Sequence, residues 1–216
     1  MTEPGDPSAA TLQRSGVDRF EAYYAGQPGA GWEINGPQPL FAELARRGEI
    51  RGRVLDAGCG SGENALMTAA LGLDTTGVDA APTGIAIAIG KARERGMTVR
   101  FLVHDVLDLS ALGEQFDTVL DCGLFHCFAD DDRPGLVASL SAVVPDGGRF
   151  FMMCFSDREP GRWGPRRVTR AEIEASFAVG WRIDRMERAA MAVAFEPGTA
   201  AAWFAAMTRT AGRRGR

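Results

Sequence analysis

The sequence predicts an α/β protein built on a doubly wound, mostly parallel sheet, and two observations carry that expectation. One is the segment from Arg53 to Gly62, where a short apolar run meets a carboxylate, Asp56, and breaks into glycines at Gly58, Gly60 and Gly62. The other is a regular alternation downstream, in which strand-like runs that end in an acid are separated by helix-forming stretches.

The glycine segment reads as strand, turn and helix. Glycine allows a sharp turn and lets a ligand lie against the backbone. The helix expected over residues 64–71 points its unpaired amides at the same spot. Such a turn is a nucleotide cradle. The dinucleotide pattern G-x-G-x-x-G is not met, because Glu63 stands three residues after Gly60. Glu63 and Asp56 also place negative charge around the turn, which suits a cationic cofactor without phosphate. S-adenosyl-L-methionine, with its sulfonium and ammonium groups, has that character.

Further strands are expected at 74–78 before Asp79, at 98–103 before His104 and Asp105, and at 116–120 before Asp121. Helices are expected over 82–95 and 133–143. Ligands of parallel sheets bind outside the carboxyl ends of the strands, so Asp56, Asp79, Asp105 and Asp121 are predicted to share one edge. Each is also an ordinary turn or cap residue; four in series after a glycine turn favour a common site. Asp79, with Ala80 beside it, follows the turn by about 20 residues, the spacing of an acid that takes ribose hydroxyls. Asp105 and the Val106 amide are placed to read an adenine edge, and Asp121 to face the methionine end.

The segment Asp56-Ala-Gly-Cys-Gly-Ser-Gly62, with the acids at 79 and 105, resembles the class I S-adenosylmethionine-dependent methyltransferases over residues 50–156. A narrower resemblance lies in Gly31-Trp-Glu-Ile-Asn-Gly-Pro-Gln-Pro39, Asp121-Cys-Gly-Leu-Phe-His-Cys-Phe128 and Asp157-Arg-Glu-Pro-Gly-Arg-Trp-Gly-Pro-Arg-Arg-Val168. These are similar to bacterial small-molecule methyltransferases related to the thiopurine and heterocyclic-toxin enzymes. The resemblance implies a seven-stranded sheet completed by strand 149–155, helix 170–177 and two closing strands near 181–187 and 202–208. The last is Ala-rich and is read as strand on the resemblance alone.

The domain organisation expected is a loose N-terminus (1–16) and one methyltransferase domain (17–210). That domain comprises a helical lid (17–50), a cofactor core (51–156) and a substrate loop with closing strands (157–210), followed by a tail (211–216). Helices at 17–24 and 38–47 make the lid. By resemblance Trp32, in the connector, caps the cofactor and joins the substrate wall; a plain packing residue is the alternative. Phe125 is a candidate for the same wall. In the loop after the fifth strand, Trp163 could stack on a ring and Arg166, among Arg158, Arg162 and Arg167, could clamp an anion. A solvated loop pairing with Asp157 and Glu159 is the alternative. His126 is the candidate general base, with a packed histidine as the alternative.

Composition bounds the partners. The chain has 216 residues, net charge -4 and no apolar run long enough for a membrane span. Nucleic acid is not the expected partner. The polar N-terminus is read as neither a signal nor a transit peptide. The four cysteines, Cys59, Cys122, Cys127 and Cys154, lack C-x-x-C spacing and read as free cytosolic thiols, with no metal. The expectation is a cytoplasmic monomer that methylates sulfur or oxygen on a small aromatic or heterocyclic acceptor, in detoxification or secondary metabolism. A methyltransferase of macromolecules and a non-catalytic S-adenosylmethionine-binding regulator are the alternatives.

Overall fold

The structure is a computed structural model that describes residues 9–27 and 31–211. Its elements are α1 (Ala9–Tyr24), α2 (Pro39–Arg46), β1 (Val54–Ala57), α3 (Glu63–Ala70), β2 (Thr75–Asp79), α4 (Pro82–Glu94) and β3 (Arg100–Val103). There follow β4 (Thr118–Cys122), α5 (Arg133–Val143), β5 (Arg149–Phe155), α6 (Arg170–Ser176), β6 (Trp181–Ala192) and β7 (Thr199–Arg209). Short 3₁₀ segments occupy Val106–Leu112 and Phe125–Cys127.

The seven strands form one sheet in the order β3-β2-β1-β4-β5-β7-β6. The pairs from β3 to β5 are parallel, and β7 runs antiparallel to both β5 and β6. The order reverses between β1 and β4, which is where doubly wound sheets bind their ligands. Both faces are covered, so the central strands bury apolar residues on both sides, with buried threonines at the starts of β2 and β4 and acids near the carboxyl ends of β1, β2 and β4. Leu55, Val119, Phe150 and Met152 point to the α5–α6 face, while Val54, Leu120, Phe151 and Met153 meet Phe41 and Leu44 of α2.

The Ala-rich last strand is explained by its neighbours. Along the β5 register Phe151 faces Ala206, Met152 faces Ala205 and Phe155 faces Ala202, so small residues accept the bulk of the adjacent strand. Cross-strand packing of this kind overrides local helix propensity. Both closing strands outrun the expected ranges, and their hairpin projects to a tip at residues 193–198. At the other end, residues 9–16 continue α1 where a loose segment was expected; residues 1–8 and 212–216 lie outside the described set.

Candidate functional site

The site is assembled at the carboxyl ends of β1, β2 and β4 and just beyond β3. Gly58, Gly60 and Gly62 all adopt left-handed backbone, with φ of 69°, 53° and 87°. The turn is filled from several sides. A Cβ on Gly62 would lie 2.8 Å from Ala88 of α4 and from Phe101 of β3. One on Gly60 would lie 2.2 Å from the Tyr24 hydroxyl. The turn therefore leaves a backbone cradle with no room for side chains.

Each acid has a defined partner. Asp79 accepts from the Gly60 amide and the Ala81 amide, both at 2.8 Å, and so locks the turn to β2. Burial raises its pKa, while the amides of Ala81, Gly60 and Ala80 oppose that rise. Asp56 accepts from the Ala65 amide of α3 at 3.0 Å. Asp121 accepts from the Leu124 amide at 2.9 Å and the Phe125 amide at 3.1 Å. Burial pushes both Asp56 and Asp121 up to about 7, and each is raised further by a neighbouring carboxylate, Asp79 for Asp56 and Asp56 for Asp121. Asp105 is exposed and accepts from the Leu107 amide at 2.9 Å, capping the segment that starts at Val106.

Glu63 does not act as the sequence reading supposed. Lys91 and Arg95 pair with it at 3.0 and 2.8 Å, and Arg95 in particular lowers its pKa. Its charge is neutralised by α4 rather than presented to a ligand. Asp79 supplies the carboxylate at the turn itself, while Glu33 accepts from the Ser61 hydroxyl at 2.6 Å and pairs with Lys91 at 3.8 Å.

The lid reaches the turn through a residue that sequence reasoning missed. Trp32 packs edge-on against Phe20, Tyr23 and Tyr24, and its indole N–H donates to the Tyr24 hydroxyl at 2.9 Å. Tyr24, not Trp32, touches Gly60 and lies over Gly84. The signal available in the sequence was the aromatic pair Tyr23-Tyr24 at the end of the first helix. Glu21 of α1 accepts from the Thr83 amide at 3.1 Å, docking the lid on the start of α4.

The substrate-side candidates divide. Phe125 is wholly buried, packed on Phe177 with the Arg133 guanidinium over its ring; it is core, because the amides at 124 and 125 turn inward to Asp121. Arg166 pairs with Asp130 and Glu172, so it braces the loop instead of facing an acceptor. Arg167 holds the same loop, donating to the carbonyls of Trp163 and Pro165 at 2.7 and 2.6 Å. Trp163 packs edge to face with Phe155 at 5.1 Å. His126 is buried, and its Nδ1 accepts from the Phe155 amide at 2.9 Å. Burial, then Arg167 and Arg133, lower its pKa to about 3. With Nδ1 accepting, the neutral ring carries its proton on Nε2, so neither nitrogen is free to take one. The base role expected of His126 does not fit these surroundings.

Among the described residues no three His, Cys, Asp or Glu side chains gather as metal ligands, and no helix is long and apolar enough to cross a membrane.

Comparison with known proteins gives the arrangement its context. Residues 54–148 match the family described as a methyltransferase domain. The 2-heptyl-1-hydroxyquinolin-4(1H)-one methyltransferase of Mycobacteroides abscessus is 34% identical over 176 residues, covering 77% of this chain and 78% of that one. The chain belongs to the class I S-adenosylmethionine-dependent methyltransferases. A solved structure concerned with conversion of a disulfide bond into a thioacetal group during echinomycin biosynthesis superposes with a TM-score of 0.83. It is 33% identical, over 90% of this methyltransferase and 93% of that chain. The 1,6-didemethyltoxoflavin-N1-methyltransferase of Burkholderia thailandensis, bound to S-adenosylhomocysteine, has the same fold at 22% identity, with a TM-score of 0.67 over 98% and 93% of the two chains. S-adenosylmethionine is the cofactor of this methyltransferase. The donor set fits that cofactor: left-handed backbone at Gly58, Gly60 and Gly62 and the carboxylate of Asp79 lie together at the ends of β1 and β2.

Proposed function

We propose that the protein methylates a hydroxyl oxygen or a thiol sulfur on a small aromatic or heterocyclic acceptor. The observation that carries this reading is the aromatic edge where half-buried Trp163 meets the exposed Phe195, backed by the buried Phe155 at the end of β5. A flat, weakly polar acceptor packs favourably on such rings. The named activity of the Mycobacteroides relative, on a hydroxyquinolinone, supports the same class.

The bound cofactor supplies an electrophilic methyl group on its sulfonium. Asp79 and the Ala80 backbone would hold the ribose, Asp105 and Val106 the adenine, and the turn from Gly58 to Gly62 with Asp121 the methionine portion. Trp32 contributes by fixing the Tyr24 hydroxyl over Gly60. The protein's main work is to align acceptor and methyl at attack distance. His126, with Nδ1 committed, serves as a fixed N–H donor that orients the acceptor. An acceptor that ionises unaided near neutral pH, such as a thiol or an acidic heteroaromatic hydroxyl, then needs no protein base. The net charge of -4 supports a small acceptor over nucleic acid, and we take the protein to act as a cytoplasmic monomer in detoxification or secondary metabolism.

Incubation with labelled S-adenosylmethionine and a panel of thiols, phenols, hydroxyquinolines and heterocyclic amines tests the reading. Label in hydroxyquinolines or thiols is the expected result. Label confined to amines, or none anywhere, would overturn it.

A further inference from the structure

Three segments outside the sheet and its helices meet at one point: the connector after α1, the loop after β5 and the tip of the β6–β7 hairpin. The connector is tied to the hairpin at both ends. The Gly31 carbonyl accepts from the Ala194 amide at 2.8 Å. The Gln38 side chain makes two bonds to the Ala192 backbone, at 3.0 and 2.9 Å. Between these ties the Phe195 ring occupies the place where residue 31 would carry a side chain, since a Cβ on Gly31 would lie 2.3 Å from Phe195 Cε1.

Phe195 then stands edge to face with Trp163 at 4.6 Å, which extends the run to Phe155 and His126. Four rings from four segments thus form a stepped stack from the hairpin tip to the loop after β4, with His126 and Phe155 buried at its inner end and Phe195 exposed at its outer end. Phe195 is 39% exposed, a large apolar side chain held at the surface. It borders an open cleft of about 610 Å³ with Ile34, Val193, Glu33 and Glu196, a volume within the range that holds small ligands. Glu33 also bonds to Ser61 of the glycine turn, so this cleft opens beside the cofactor cradle.

We propose that Phe195, seated on Gly31, is the specificity-determining residue for the acceptor, selecting a planar heteroaromatic ring that bears an apolar substituent. The ring packs on Phe195, which Trp163 braces from behind, and the substituent runs along Val193 and Ile34 of the cleft. The carboxylates of Glu33 and Glu196 on the rim disfavour an anionic substituent. The acceptor's chemistry here rests on the proposed function; the location of its binding wall does not.

The test uses 4-hydroxyquinoline, its 2-heptyl derivative and its 2-carboxylate as probes. Turnover by the full chain and calorimetric affinity for the chain saturated with S-adenosylhomocysteine are both measured. The wild type should prefer the heptyl compound over the parent and the parent over the carboxylate. Phe195→Ala should raise KM and Kd for the heptyl compound about tenfold, leaving S-adenosylhomocysteine affinity within about twofold. Gly31→Ala puts a methyl group where the ring lies and should displace it with the same result. The double variant should then be no worse than Phe195→Ala, because both changes act through one ring. An unchanged heptyl-to-parent ratio in Phe195→Ala, or full additivity of the two substitutions, overturns the proposal. Binding of the heptyl compound without methylation would defeat the proposed acceptor chemistry while leaving the wall in place. Absence of binding by wild type would overturn the wall itself.

Discussion

Lowering the pH should weaken cofactor binding through the two buried acids behind the glycine turn. Asp56 and Asp121 are each about 1% exposed, and burial raises both to about 7. They lie on the adjacent strands β1 and β4, and the charge of Asp56 raises Asp121, so their titrations are coupled. The folded protein therefore keeps protons between about pH 4 and pH 7 that the unfolded chain has released. The group's folded pKa is raised, so stability falls as pH rises through that window and levels off above it. Cofactor binding has the opposite sign. The α-ammonium group of S-adenosylhomocysteine favours an ionised neighbour, so binding expels a proton below pH 7.

For one such group the affinity at about pH 8 should exceed that at about pH 6 roughly tenfold, or about 1.4 kcal/mol. Isothermal calorimetry of S-adenosylhomocysteine at the two pH values, in buffers of different ionisation enthalpy, reads both the affinity and the proton released. Asp56→Asn keeps an acceptor for the Ala65 amide and removes one member of the pair, so it should flatten the dependence. Equal affinity at both pH values with no proton release would refute the linkage. So would an Asp56→Asn variant that retained the wild-type slope.

His126→Ala should leave the shape of the kcat profile between about pH 6 and pH 9 unchanged, since the ring has no free basic nitrogen. It should also lower stability by about 1–3 kcal/mol in chemical denaturation, because the Phe155 amide loses its acceptor in a buried setting. A lost alkaline or acidic limb in that profile would instead restore the base role. Gly62→Ala should destabilise the fold by about 1–3 kcal/mol from left-handed backbone strain alone, with more from the contacts to Ala88 and Phe101. A melting temperature equal to wild type would show that α4 and β3 can move away from the turn.

The cofactor half of the site was legible because its signals are local. A left-handed turn needs glycine within a few residues, and an acid that ends a strand sits at the sheet edge wherever the strand goes. Hence Asp56, Gly58, Gly60, Gly62, Asp79, Asp105 and Asp121 could be placed together from spacing. The Ala-rich β7 was not legible in that way: its propensity is helical, and only the large side chains of β5 opposite make it a strand. Its assignment came from resemblance.

The acceptor side depends on partners far apart in the chain. Arg166 looked available until Asp130 and Glu172 were brought to it. Phe125 looked like pocket wall until Asp121 turned its backbone inward. His126 kept its place in the site but lost its basic nitrogen to the Phe155 amide. The aromatic pair Tyr23-Tyr24 hinted at the lid but not at its contact with Gly60, and nothing in the sequence pointed from Gly31 to Phe195, because a glycine records that space is needed but not which ring takes it. Short-range spacing thus pointed by itself to the fold class and to the sheet edge where Asp56, Asp79, Asp105 and Asp121 gather. The charge argument for the cofactor leaned on Glu63, which Lys91 and Arg95 neutralise, and the cofactor follows from family membership. Which polar groups remain free, and which rings face the acceptor, was decided only when the tertiary structure spent each hydrogen-bonding group and each vacant Cβ position on a distant partner.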